Sequence, residues 1–184
     1  MPRRDRPDPS QIVEIPKWKR KRHRYTLAQL YINFPYEVFK YDPIPPQPVK
    51  IQRIKISDNK LVMTVWARVK SATKPNTYYS TIIQLYRKDP DIPWSWHNLC
   101  TVKCTCDAFH YFLAYPLYIT GTLWGKPRLW NKVPNKVRNR AKIPALCKHL
   151  VLVTNYLIKR GIIEGRILWH PERYKNGSKG WRRR

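Results

Sequence analysis

Residues 61–70 read LVMTVWARVK. Leu61, Met63, Val65, Ala67 and Val69 fall on one side of an extended chain, and Arg68 and Lys70 fall on the other. Such a period of two marks a strand with one face buried. Just upstream, VKIQRIKIS (49–57) also alternates, but its apolar phase shifts between Ile51 and Ile54, which predicts a bulge. Asp58-Asn59 between the two runs supplies turn chemistry. Downstream, SATKPN (71–76) loops into YYSTIIQLYR (78–87), a third strand rich in β-branched and aromatic residues. After KDPDIPW (88–94) a fourth strand is expected through HNLCTVKCTC (97–106). The pattern is an antiparallel β-meander.

Beyond the fourth strand, Asp107 is placed to cap a short aromatic helix that Pro116 would end or kink. Residues 121–146 read as an irregular loop, and a helix is expected from His149 to Lys159, stopped by Gly161. Before the meander, YTLAQLYINFPYEVFKYD (25–42) has room for a short helix ahead of the extended PIPPQP (43–48). The expected organisation is a basic, Pro-rich arm and linker over 1–48, a meander with a metal-binding unit over 49–160 (insert 107–146), and a basic tail over 161–184. The expected class is α+β, a small antiparallel meander with a ββα zinc-binding unit between extended basic arms.

Charge bounds the partners. Lys and Arg number 37 against 11 Asp and Glu, a formal net charge of +26. Self-repulsion of that size points to a polyanionic partner: nucleic acid, an anionic membrane or acidic protein surfaces. The 42 % hydrophobic content, with 8 Trp and 12 Tyr, nevertheless calls for a folded core. The first residues, MPRRDRPDPS, carry charge and proline where a signal peptide needs an apolar run. Leu150 to Ile158 is too short to span a bilayer, and the basic segments are broken by Pro and Gly, unlike a membrane-surface helix. The expectation is an intracellular, reducing setting without a membrane partner, where clustered cysteines suggest metal over disulfide.

Three of the four cysteines fall in two short pairs. On a strand, Cys104 and Cys106 point to one face about 7 Å apart. In CKHL (147–150), Cys147 and His149 share the same spacing, but on a helix i and i+2 diverge by about 200°. Cys147 must therefore precede the helix, with His149 in its first turn. Three thiolates and an imidazole complete a tetrahedral structural zinc site, leaving no position for water. The competing readings are buried apolar cysteines and a disulfide network. Cys100 lies about 13 Å along the strand from Cys104 and reads as a core residue, whereas His110 is the rival ligand. Structural zinc contributes on the order of 10–16 kcal/mol in small peptides, comparable with a whole domain's stability of about 5–15 kcal/mol.

The CxC–xn–CxH arrangement, with a strand before CTC and an apolar helix after CKHL, resembles the SWIM-type zinc finger. That resemblance covers residues 96–159 and implies a nucleic-acid- or protein-binding accessory unit whose ligands would be Cys104, Cys106, Cys147 and His149. The spacer here is longer than usual for the family. An aromatic stretch after CxC and an Asn/Pro-containing insert before CKHL are also similar to small zinc proteins of tailed bacteriophages.

Basic residues cluster in three places. Within the insert, residues 121–146 interleave Trp124 and Trp130 with Lys126, Arg128, Lys132, Lys136, Arg138, Arg140 and Lys142, and carry no acid. Its cations suit phosphates, and its tryptophans either stack on bases or anchor the loop to the core. The N-terminal arm holds Lys17, Lys19, Arg20, Lys21, Arg22 and Arg24, and the tail ends in Arg182, Arg183 and Arg184. His23, His97 and His170 read as surface or phosphate contacts. The expected binding is sequence-independent, within a large nucleoprotein assembly. The alternative is a structural particle component, such as a virion or ribosome-like piece, whose arms dock on neighbouring subunits. No catalysis is expected, since the acids are scattered and the Asp89-Pro90-Asp91 pair reads as a turn.

Overall fold

The computed structural model describes residues 24–34, 50–71, 74, 76–125 and 143–168. Strands β1 (Ile51–Asp58), β2 (Val62–Lys70), β3 (Tyr78–Tyr86) and β4 (Leu99–Cys104) form one antiparallel sheet in the order β1-β2-β3-β4. Helices α1 (Leu27–Ile32), α2 (Ala114–Ile119) and α3 (Lys148–Lys159) complete an α+β fold.

Period-two patterning decides which face is buried. Met63, Val65, Ala67 and Val69 point inward beside Ile83 and Leu85 of β3 and Cys100, Val102 and Cys104 of β4. The expected bulge is present: the β1–β2 register shifts between Ile51, which pairs with Val69, and Arg53, which pairs with Arg68. Leu61 departs from expectation. It lies outside β2 and is 45 % exposed, because the turn that contains Lys60 at φ 58° carries it out of the strand.

The segment after β4 also differs from the expected capped helix. A helical turn at 107–108 passes into a π-helical stretch, Phe109–Leu113, and then into α2. Pro116 sits inside α2 and neither ends nor precedes it. It has no N–H to give and its ring crowds the carbonyl a turn earlier; the wider π turn ahead of it makes room. Asp107 does not cap this helix through its own first turn: its carboxylate pairs with Lys74 at 2.8 Å.

α3 follows expectation. Leu150, Val151, Val153, Thr154 and Leu157 are buried, and Gly161 at φ 66° ends the helix. The Gly161 amide donates to the Ile158 carbonyl and the Ile162 amide to the Leu157 carbonyl, a Schellman closure. α1 is closed at its start by a capping box between Thr26 and Gln29. Leu27, Leu30, Tyr31 and Phe34 are fully buried, so part of the 1–48 segment belongs to the core. Among the described residues no helix is long and apolar enough to cross a membrane.

Candidate metal centre

Four side chains from distant parts of the chain meet under the sheet. One ligand atom each from Cys104, Cys106, Cys147 and His149 lies within 4.8 Å of all the others, and all four residues are buried. Cys104 is the last residue of β4. Cys106 was expected on the same strand, but β4 ends before it. The ladder stops at Thr105, whose amide donates to the Ser80 carbonyl and whose hydroxyl accepts from the Ser80 amide. The chain then bends, and the Cys106 sulfur accepts the Phe109 amide at 3.4 Å. Cys106 thus takes the capping position expected of Asp107. The Cys106 amide in turn donates to the Cys104 sulfur at 3.5 Å. The two sulfurs converge through this turn, not through strand alternation alone.

The second pair sits as expected. Cys147 is the N-cap of α3, in extended backbone, and His149 lies in the first turn. Its Nδ1 stands 3.9 Å from the Cys104 sulfur, and its ring tilts against Tyr79 with centroids 4.8 Å apart. α1 fixes the approach to Cys147. The Leu146 amide donates to the Leu30 carbonyl, and the Asn33 side-chain amide to the Pro144 carbonyl at 2.9 Å. At its other end α1 is tied to the chain just before β4, since the Leu27 and Ala28 amides donate to the Asn98 and Trp96 carbonyls. One short helix therefore braces both halves of the cluster.

The electrostatics call for a cation. Burial pushes the Cys104 thiol up, and the neighbouring Cys106 and Cys147 sulfurs push it further. Burial likewise raises Cys106. Burial also opposes ionisation of Cys147, but hydrogen bonds with Cys104, Cys106 and His149 outweigh it and hold that thiol well below the ordinary range. Three buried sulfurs this close together cannot all ionise without a cation among them. The His149 ring turns its Nδ1 toward the Cys104 sulfur, while its Nε2 is buried with no hydrogen-bond partner among the described residues. Donor type, burial and convergence all fit a metal ion.

The other candidates fall elsewhere. Cys100 is fully buried, its thiol pointing at the Tyr25 carbonyl at 3.5 Å, and it stands outside the cluster as expected. His110 is also outside it and meets Tyr111 edge-on. His97 is exposed and accepts from the Trp96 indole at 2.9 Å. Asp89 accepts the Asp91 amide at 2.9 Å within a turn. Of the basic residues singled out, Arg24 is exposed with its guanidinium 4.7 Å from the Tyr86 ring centre. Lys19, Arg20, Lys21 and Arg22, the insert residues Lys126 to Lys142 with Trp130, and Arg182 to Arg184 lie outside the described residues. Trp124 is half-buried beneath the Lys103 ammonium.

The chain matches no family model, no curated protein and no solved structure.

Proposed function

We propose that this chain is a zinc-stabilised, non-catalytic nucleic-acid-binding protein that works within a larger nucleoprotein assembly, its zinc unit built on the SWIM pattern. The buried, convergent set of three cysteines and one histidine carries the reading. A tetrahedral zinc with Zn–S of about 2.3 Å and Zn–N of about 2.0–2.1 Å has ligand–ligand edges of about 3.5–3.8 Å. The 3.9 Å separation of Cys104 sulfur from His149 Nδ1 needs little adjustment to reach that. Cys104, Cys106, Cys147 and His149 would hold the ion, which would supply structural cross-linking between β4 and α3. Four protein ligands fill such a site, so its role is to fold the chain and not to activate water. The net charge of +26 supports a polyanion as the partner.

Salt dependence tests the nucleic-acid part. If about five of the insert's cations contact phosphate, log K on duplex DNA falls against log salt with a slope of about −4 to −5. Neutralising Lys136, Arg138 and Arg140 together flattens that slope by about 2 to 3, to the same extent on unrelated sequences. A chain that binds no nucleic acid at low salt, but binds an acidic protein subunit of its particle, overturns this reading in favour of a structural docking protein.

A further inference from the structure

The outward face of the sheet has a composition that the core does not explain. Across its middle, Lys55 pairs with Trp66, Trp66 with Ile82, and Ile82 with Lys103. The chain at Trp124 continues the row beside β4: Leu123 bridges Val102, and the Trp124 amide donates to the Val102 carbonyl. Lys103 Nζ lies 5.3 Å from the Trp124 ring centre. In the next rows Arg53 pairs with Arg68, Lys70 pairs with Tyr78, and the Arg68 guanidinium stands 4.5 Å from the Tyr78 ring centre. Arg53, Lys55, Arg68 and Lys70 are exposed, and Trp66 keeps 37 % of its surface in water.

The described acidic residues stand outside these rows. Asp58 accepts the Trp94 indole, Asp107 holds Lys74, Asp89 and Asp91 form a turn, and Glu164 lies at the bridge to Ser95. The opposite end of the face is closed on itself, with Gln84 donating to Thr64 and accepting from Tyr86. The open part is therefore aromatic planes among cations with no acid.

We infer that this sheet face is a stacking platform for single-stranded nucleic acid, with Trp66 and Trp124 taking bases and Arg53, Lys55, Arg68, Lys70 and Lys103 taking phosphates. The inference rests on the nucleic-acid reading above and assigns it a surface on the sheet, which Trp124 of the insert extends beside β4. Strand spacing puts Trp66 and Trp124 about 14 Å apart, far enough to serve separate bases. Paired bases in a duplex present no free plane, whereas a single strand offers one to every aromatic ring. The chain's own insert, and a second copy of the chain, carry the same sign of charge and do not complement the face.

The test uses the full chain and a fluorescent oligothymidylate of about 20 nucleotides, longer than the usual site of one small fold. A duplex of the same length and heparin, a polyanion without bases, serve as comparisons. Trp66→Ala is expected to weaken single-strand binding about 5- to 150-fold while leaving duplex and heparin binding unchanged, and Trp66→Tyr is expected to restore most of the loss. Replacing both Lys55 and Lys103 by Gln reduces the single-strand salt slope by about 1.4. Metal content and far-ultraviolet dichroism verify that each variant is folded. Equal loss for heparin and single strand, or no loss for Trp66→Ala with wild-type binding intact, overturns the platform and leaves the broader reading standing. A wild-type chain that binds no nucleic acid overturns both.

Discussion

Replacing Cys147 by serine removes a metal ligand yet leaves a residue that caps helices well. Cys147 is the N-cap of α3 at φ −84° and ψ 165°, and its thiol makes no capping hydrogen bond. A serine hydroxyl accepts from the first-turn amides, and such caps are worth about 0.5–2 kcal/mol. Local helix energetics therefore favour the variant. The metal acts in the other direction: on the order of 10–16 kcal/mol shared by four ligands makes one worth about 2.5–4 kcal/mol. At 1.4 kcal/mol per tenfold, zinc affinity drops by about two to three orders of magnitude. The net expectation is a loss of about 0.5–3.5 kcal/mol in zinc-containing buffer. Urea unfolding at buffered free zinc separates the contributions, because a ligand that binds only the folded chain adds about 2.7 kcal/mol at a hundredfold excess over Kd. The wild-type midpoint should climb with free zinc while that of Cys147→Ser stays flat over the same range. Cys100→Ser is the control. It buries a hydroxyl at a fully buried position, costing about 1–3 kcal/mol, but keeps the zinc dependence. A Cys147→Ser protein that tracks free zinc as the wild type does refutes the assignment of that ligand.

Tyr31→Phe tests the brace. The Tyr31 hydroxyl donates to Asn155 Oδ1 at 2.5 Å and accepts the Leu168 amide at 3.2 Å, so its loss should cost about 1–3 kcal/mol in urea unfolding with zinc still bound. Cys100→Ala tests the buried thiol through pH. Burial pushes this thiol well up, so the stability tied to its neutral form is complete below the ordinary thiol value of about 8.5. That contribution is lost as pH rises further, because the unfolded chain ionises first. Relative to Cys100→Ala, the wild type should lose about 1.4 kcal/mol per pH unit above that point, and a pH-independent difference between the two would contradict the burial of this thiol.

The sheet was legible because its inner face repeats at period two over Met63 to Val69, and even its bulge showed as a phase shift between Ile51 and Ile54. α3 was legible through the i, i+2 constraint on Cys147 and His149 and through Gly161. The role of α1 was not. A capping box at Thr26 and Gln29 marks a helix start, but no local pattern encodes that Asn33 will reach Pro144 or Leu30 will reach Leu146. The geometry of Cys106 was hidden for a related reason. Spacing brought the right residues together, while the bend that aims the sulfur depends on where β4 leaves β3 at Thr105. The π turn ahead of Pro116 is likewise a compromise between a missing donor and a buried aromatic stretch, and composition alone does not choose between a kink and a widened turn. Trp66 read as one more strand residue until pairing set it between Lys55 and Ile82.

The central claim is that a zinc ion joins β4 to α3 through Cys104, Cys106, Cys147 and His149. Native mass spectrometry of the full chain, purified without added metal and then titrated with a chelator, measures it directly. The account predicts one zinc per chain, with the chelated protein shifting to highly charged, unfolded species. A folded chain that carries no stoichiometric metal, and keeps its charge-state distribution in chelator, would contradict it.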